Sequence, residues 1–292
     1  MTMSEQVDEH GRCLRTDATD DCLIHVDCAS HRYPDGTMGI HDLSFSVYRR
    51  EIVALCGANG SGKSTLLEHL NGLLLPSSGD VYVLGKPCRE IRKNVWRYVG
   101  LVFQRPEDQL FAPTVLDDVM FGPVNLGMSR SEARAAALDA LEQVGVTRLA
   151  GKMPDYLSGG EKRLVAIAGV LAMKPAVICM DEPTSDLDDF HRRRIEALIL
   201  RLRDVRGISI VIATHDIDMA SRIADRVSIV KEGGIIASGS PRGIFYDRKA
   251  MADAGLMPPE VVEIYLDYCD RTGKTPEKRP LKTAELLDAI LR

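Results

Sequence analysis

Aromatic residues make up only 5% of this 292-residue chain, and Trp96 is its single tryptophan. That scarcity argues against the stacking platforms that hold single-stranded nucleic acid. An excess of positive charge is also missing. Lys and Arg number 37 against 42 Asp and Glu, a net charge of -5. With no basic face, nucleic acid is not an expected partner. No apolar run approaches the ~20 residues of a membrane-spanning helix. The most apolar stretch of the second half, Val165 to Met180, is cut by Lys174 and Pro175. The chain is therefore not expected to cross a membrane by itself. Its first residues are polar and acidic, without an apolar signal region. The seven cysteines contain no C-x-x-C pair, which reads as reduced, cytosolic thiols. Internal repeats and low-complexity segments are missing too.

What remains is ordinary soluble composition, 45% hydrophobic and 27% charged. The length suffices for one large domain and an appendage. Residues 1–21 carry no periodicity and read as a flexible polar tail. From Cys22 onward, short apolar runs alternate with helical patterns. Ile52 to Cys56, Val177 to Met180 and Ile208 to Ala213 read as buried strands. Asp80 to Gly85 alternates as a half-buried strand would. Helices are expected over Ser64 to Leu70, stopped by Asn71-Gly72, and over Ser129 to Val144. Ser158 opens another that Pro175 ends, and Asp188 to Arg203 a fourth. After Ser240-Pro241 the pattern changes to short helices, Pro259 to Tyr268 and Thr283 to Leu291. A Gly/Lys/Pro-rich linker, Thr272 to Pro280, separates those two. Strands alternating with helices imply an α/β fold with a parallel core sheet.

Gly57-Ala58-Asn59-Gly60-Ser61-Gly62-Lys63-Ser64 fits G-x-x-x-x-G-K-[ST], between a strand and a helix. Glycines let successive N–H groups turn inward as an anion nest, and the helix that follows adds its positive end. Lys63 is placed to reach the β and γ phosphates, and Ser64 to bind magnesium. The strand 177–180 ends in two carboxylates. Asp181 is placed to hold magnesium through its water shell, and Glu182 to polarise an attacking water. Leu157-Ser158-Gly159-Gly160-Glu161 precedes that strand and offers a second anion site, with Ser158 as helix N-cap.

The order of phosphate loop, Leu-Ser-Gly-Gly-Glu segment, Asp-Glu pair and His215 resembles the ATP-binding cassette (ABC) ATPases, over roughly Leu23 to Ser240. The resemblance implies a P-loop NTPase fold with a parallel core sheet, an antiparallel β subdomain, a helical signature subdomain (about 105–173) and a C-terminal helical extension (241–292). It implies ATP and Mg2+ as ligands. Tyr33 looks like the aromatic that stacks on adenine. Residues 57–64 with Thr65 would hold the phosphates. Gln104 looks like the Q-loop glutamine, which contacts magnesium and the attacking water. Ser158, Gly159 and Gly160 would contact the γ-phosphate of an ATP held by a second subunit. His215 looks like the switch histidine. Ser185 to Asp188 sits in the D-loop position, where Asp186 replaces a small residue, and Glu161 replaces the commoner glutamine. One phosphate loop and one signature per chain imply a dimer of such subunits, identical or homologous.

Gln104-Arg-Pro-Glu-Asp-Gln-Leu-Phe111 resembles the Q-loop of energy-coupling factor ATPases, which drive vitamin and transition-metal uptake. Phe121-Gly-Pro123, Asn125-Leu-Gly127 and Val165 to Met173 look most like the cobalt/nickel branch. That resemblance implies a transmembrane scaffold and a substrate-binding membrane component as partners, at the cytoplasmic face of the cell membrane. Glu107, Asp108 and Gln109 are expected to offer acceptors to a basic partner helix. The C-terminal helices resemble a dimerisation extension. A vitamin-importing complex is the alternative reading, and a non-transport ABC ATPase a remote one. His10, Cys13, Cys22, His25, Cys28 and His31 are cobalt and nickel ligand types, but their spacing matches no closed zinc pattern. His25 and Cys28 read instead as side chains of the first strand.

Overall fold

The computed structural model describes residues 21–291, so the tail expected over 1–21, with His10 and Cys13, lies outside the described residues except for Asp21. The chain begins with an antiparallel pair, β1 (Cys22–Arg32) and β2 (Met38–Tyr48). His25 and Cys28 lie on β1 as read, and His31 lies there with them. Among the described residues no group of three or more His, Cys, Asp or Glu is arranged to hold a metal. β3 (Ile52–Cys56) then enters a second sheet and leads into α1 (Lys63–Asn71), which ends at Gly72 in the left-handed conformation. β4 (Ser78–Val83) and the short β5 (Lys86–Pro87) return to the first sheet, whose order is β2-β1-β4-β5. α2 (Cys88–Ile91) carries the chain to β6 (Val99–Val102).

A helical layer follows. α3 (Val115–Asn125), α4 (Arg130–Gln143) and α5 (Gly159–Leu171) precede β7 (Val177–Asp181). α6 (Asp189–Arg206), β8 (Ser209–Thr214), α7 (Ile217–Ile223), β9 (Arg226–Lys231) and β10 (Gly234–Gly239) complete the second sheet. Its order is β10-β9-β3-β8-β7-β6, parallel except for the antiparallel edge strand β10. Four helices close the chain: α8 (Pro241–Phe245), α9 (Arg248–Ala254), α10 (Glu260–Thr272) and α11 (Thr283–Leu291).

β3 and β8 are buried at every position, because both faces of the parallel sheet are covered. One face carries α1, whose Leu66, Leu67 and Leu70 are at most 1% exposed. Each contributes about 1.5–3 kcal/mol by burial. The other face carries α3 to α6 around Leu141, Leu164, Ile167 and Ile199. Several helices start where the sequence supplies caps. Ser129 pairs with Glu132, and Ser158 with Glu161, in reciprocal capping boxes. Asp188 and Asp216 cap α6 and α7. The closing helices do not hang free. Phe245, Met251, Val262 and Leu266 share a core with Ala54, Cys56 and Ile229 of the sheet.

In register, Cys56 stands opposite Thr214, and Asp181 opposite Ala213. The carboxyl ends of β3, β8 and β7 therefore meet along one edge. That edge is where open α/β sheets bind ligands.

Candidate active site

The phosphate loop leaves β3 and is held by its neighbours. Ser61 N–H donates to Ala58 O at 3.2 Å, and Ser61 O accepts from Gly233 N at 2.9 Å. A Cβ on Gly57 would lie 2.2 Å from Val230 O, and one on Gly62 2.5 Å from Gly39 O. Glycine is required at both, since each approach is to backbone that cannot yield cheaply. Gly62 has φ 103° and supplies no side-chain cap to α1. The first N–H groups of that helix thus face the loop without a side-chain acceptor. Lys63 is buried, and its ammonium donates to Gly57 O at 2.8 Å and Ala58 O at 3.0 Å. Ser61 Oγ is buried with no hydrogen-bond partner among the described residues. An orphaned hydroxyl, a buried ammonium and uncapped N–H groups around one loop fit a polyphosphate.

Two carboxylates stand across from the loop. Burial holds Asp181 above the usual aspartate range and Glu182 adds to this; a hydrogen bond from Ser64 and the charges of Lys63 and Arg163 oppose it. Burial lowers the Lys63 ammonium, while Glu182 and Asp181 resist that shift. The Ser64 hydroxyl and the Asp181 carboxylate, paired by that hydrogen bond, are the hard oxygen donors magnesium prefers. They fit the ion expected from the sequence.

Glu182 is 5% exposed and takes φ 44°, a region that costs a non-glycine residue about 1–3 kcal/mol. Its N–H donates to Ala213 O at 2.8 Å, and its carbonyl accepts from Ser185 Oγ at 2.9 Å. The side chain is held as firmly. Oε1 accepts the His215 backbone N–H at 3.0 Å and lies 2.8 Å from His215 Nδ1. Oε2 accepts from Thr214 Oγ1 at 3.2 Å. Two of the residues expected to do chemistry are therefore in direct contact, and the outer part of the His215 ring faces solvent.

The structure brings Tyr33 to the loop as well. Its hydroxyl is 3.0 Å from Thr65 Oγ1, and its ring meets His31 edge-on at 4.8 Å. Gln104 is exposed on the segment after β6. Ser158, Gly159 and Gly160 make their contacts elsewhere. Ser158 Oγ accepts from Glu161 N at 3.3 Å, and Gly160 lies under His191. Glu161 completes this capping box and also receives Arg148 at 2.7 Å, which accounts for glutamate in place of glutamine. Asp186 is exposed in a left-handed turn at φ 59°.

One expectation is corrected. Gln109 does not offer its acceptor outward: Oε1 takes the Phe103 N–H at 3.1 Å and Nε2 donates to Ala166 O at 3.3 Å. Glu107 is paired with Lys162 at 3.0 Å. The sequence reading also missed Arg163. It is 4% exposed, donates to Phe103 O at 2.9 Å, and so ties the strand end before Gln104 to α5. The apolar run after it was the available signal, because a helix buried nearly all round must also bury its charged residue. Asp118 was missed too. It accepts the N–H groups of Phe111 and Ala112 and shapes the loop after Gln104.

Loop, carboxylate strand and sheet order define a P-loop nucleoside triphosphatase. Comparison with known proteins narrows the class. The ABC transporter family profile matches residues 40–185. The energy-coupling factor transporter ATP-binding protein EcfA of Methanocaldococcus jannaschii is 44% identical over 236 residues, 80% of this chain and 84% of its own length. That of Methanosphaera stadtmanae is 43% identical over 266 residues, 89% of this chain and 95% of its own. Among solved structures, CbiO1 from Clostridium perfringens, part of the ABC transporter complex CbiONQ, has a TM-score of 0.73 at 36% identity, covering 87% of this chain and 99% of that one. A dimeric ATP-binding cassette in a post-hydrolysis state, bound to ADP and Pi, has a TM-score of 0.68 at 30% identity, covering 76% and 100%. The chain belongs to the ABC transporter ATP-binding proteins, and within them to the energy-coupling factor ATPases.

Proposed function

We propose that this ATPase energises uptake of a transition-metal ion, cobalt or nickel, through a membrane energy-coupling factor transporter. One observation carries the membrane assignment. A groove of about 310 Å³ opens between β6, α3 and α5, lined by Trp96, Phe103, Leu110, Phe111, Phe121 and Met173 among others. Phe111 and Phe121 meet edge-on at 4.9 Å and are 67% and 51% exposed. Exposed aromatics around an apolar groove fit a helix of a membrane scaffold protein. Phe121, Gly122 and Asn125 line the groove and also belong to the segments that look most like the cobalt/nickel branch. A CbiO structure among the neighbours supports the same branch. No helix among the described residues is long and apolar enough to cross a membrane. On this reading the chain sits at the cytoplasmic face through contacts with the scaffold and a substrate-binding membrane component.

Two chains are proposed to close around ATP, the phosphate loop of one facing the signature of the other. Tyr33 stacks on adenine, and residues 57–65 hold the phosphates. Ser64, Asp181 and Gln104 would hold Mg2+. The bound ion neutralises charge on the phosphate oxygens. Glu182 takes a proton from the attacking water, and His215 contacts the γ-phosphate while its Nδ1 faces Glu182. Ser158, Gly159 and Gly160 complete the site of the partner chain. Ile264 and Leu287, exposed on α10 and α11, supply apolar surface for a C-terminal dimer contact.

The test is reconstitution in proteoliposomes with an energy-coupling factor membrane scaffold and a substrate-binding membrane component. ATP-dependent accumulation of radioactive cobalt or nickel is expected. Accumulation of a vitamin instead would move the cargo to the alternative branch. Absence of any ATP-dependent uptake would overturn the reading.

A further inference from the structure

The D-loop and the signature helix meet through a side chain outside the nucleotide chemistry, His191. It lies in the first turn of α6, three residues after Asp188. Its Nδ1 stands 2.9 and 2.8 Å from the two Asp188 carboxylate oxygens. Asp188 Oδ1 also accepts the His191 backbone N–H at 2.8 Å. That backbone bond first, and the ring second, hold the Asp188 carboxyl below the usual aspartate range. The orientation of the ring is thereby fixed.

The same ring lies over the second glycine of the signature. A Cβ on Gly160 would fall 2.5 Å from its Cδ2, 2.8 Å from its Cγ and 3.1 Å from its Nε2. A Cβ on Gly159 would meet open space. A side chain at 160 would thus have to displace the His191 ring, while the backbone at 159 stays open to a ligand. Phe190 meets the ring edge-on at 5.4 Å.

We propose that His191 is a positioning residue. Tethered by Asp188, its ring holds the N-terminus of α5 against the start of α6, so that signature and D-loop meet a second copy of the chain as one unit. This rests on the ATP-bound dimer proposed above. The physical reason is precision. Donors that complete a site in trans must be held within about 0.5 Å, and a 1 Å misplacement can cost ~10²-fold in rate. The capping box fixes the first turn of α5 internally. His191 fixes that turn against a different element.

The test uses the full chain. In His191→Ala, kcat for ATP is expected to fall about tenfold, with the ATP Kd of the isolated chain within about twofold and Tm nearly unchanged. His191→Asn keeps a donor within reach of Asp188 but uncovers Gly160. His191→Phe keeps the ring but loses the tether. Each should retain an intermediate rate. A purely structural role would instead move Tm and Kd together, and this result, or wild-type kcat in His191→Ala, would overturn the proposal. ATP-dependent dimerisation in the Glu182→Gln background, read by size exclusion, separates the two readings. If Glu182→Gln does not dimerise with ATP, the dimer reading fails. If it dimerises, and adding His191→Ala leaves the required ATP concentration unchanged, only the role of His191 fails. A rise of about tenfold in that concentration is expected.

Discussion

Replacing Glu182 by glutamine isolates the proposed base from the scaffold around it. The carboxylate has three contacts: the His215 N–H at 3.0 Å, His215 Nδ1 at 2.8 Å and the Thr214 hydroxyl at 3.2 Å. A glutamine carbonyl at the Oε1 position keeps the backbone N–H. Its amide group then faces Thr214 Oγ1, whose hydroxyl rotates from donor to acceptor. No heavy atom has to move, so the stability change should stay within about 1 kcal/mol. An amide cannot take a proton from water. Loss of general-base catalysis costs about 10²- to 10⁴-fold, a rise in barrier of about 3–5 kcal/mol. Single-turnover phosphate release should fall by that factor, while ATP Kd and Tm hold. Turnover within about threefold of wild type, with Tm intact, would remove Glu182 from this role.

Other perturbations probe the loop and the groove. Gly57→Ala drives a Cβ to 2.2 Å from Val230 O. Calorimetry should show ATP affinity lost by at least about tenfold and a lower Tm, since backbone must shift. Asp118→Asn tests a pH dependence. Burial raises the Asp118 carboxyl above its ordinary 3.8, opposed by the N–H groups of Ala112 and Phe111. For a raised acid, the folded state favours the protonated form, so its stabilising contribution fades as pH rises through the raised value. The Tm of wild type minus that of Asp118→Asn should therefore decrease as pH is taken upward from 3.8 through the carboxylate range. A constant difference would refute the assignment.

The phosphate loop, the Asp181-Glu182 strand end and the capped start of α5 were legible because each is local. A glycine nest, a strand ending in carboxylates and a Ser158/Glu161 capping box depend on neighbours a few residues away. The parallel core was legible for the same reason: Ile52 to Cys56 and Ile208 to Ala213 are too apolar to face water. Three contacts were decided only by tertiary structure. The contact of Glu182 with His215 follows from β7 lying beside β8, which brings together two residues 33 apart in the chain. Gln109 reads as a surface residue until Phe103 and Ala166 close around its amide. His191 looks like an ordinary residue of a helical first turn until α5 brings Gly160 beneath its ring. Sequence fixes which groups are present and how the backbone turns locally. Long-range packing alone decides which of them touch, because that depends on how the sheet and helical layer bury their apolar faces together.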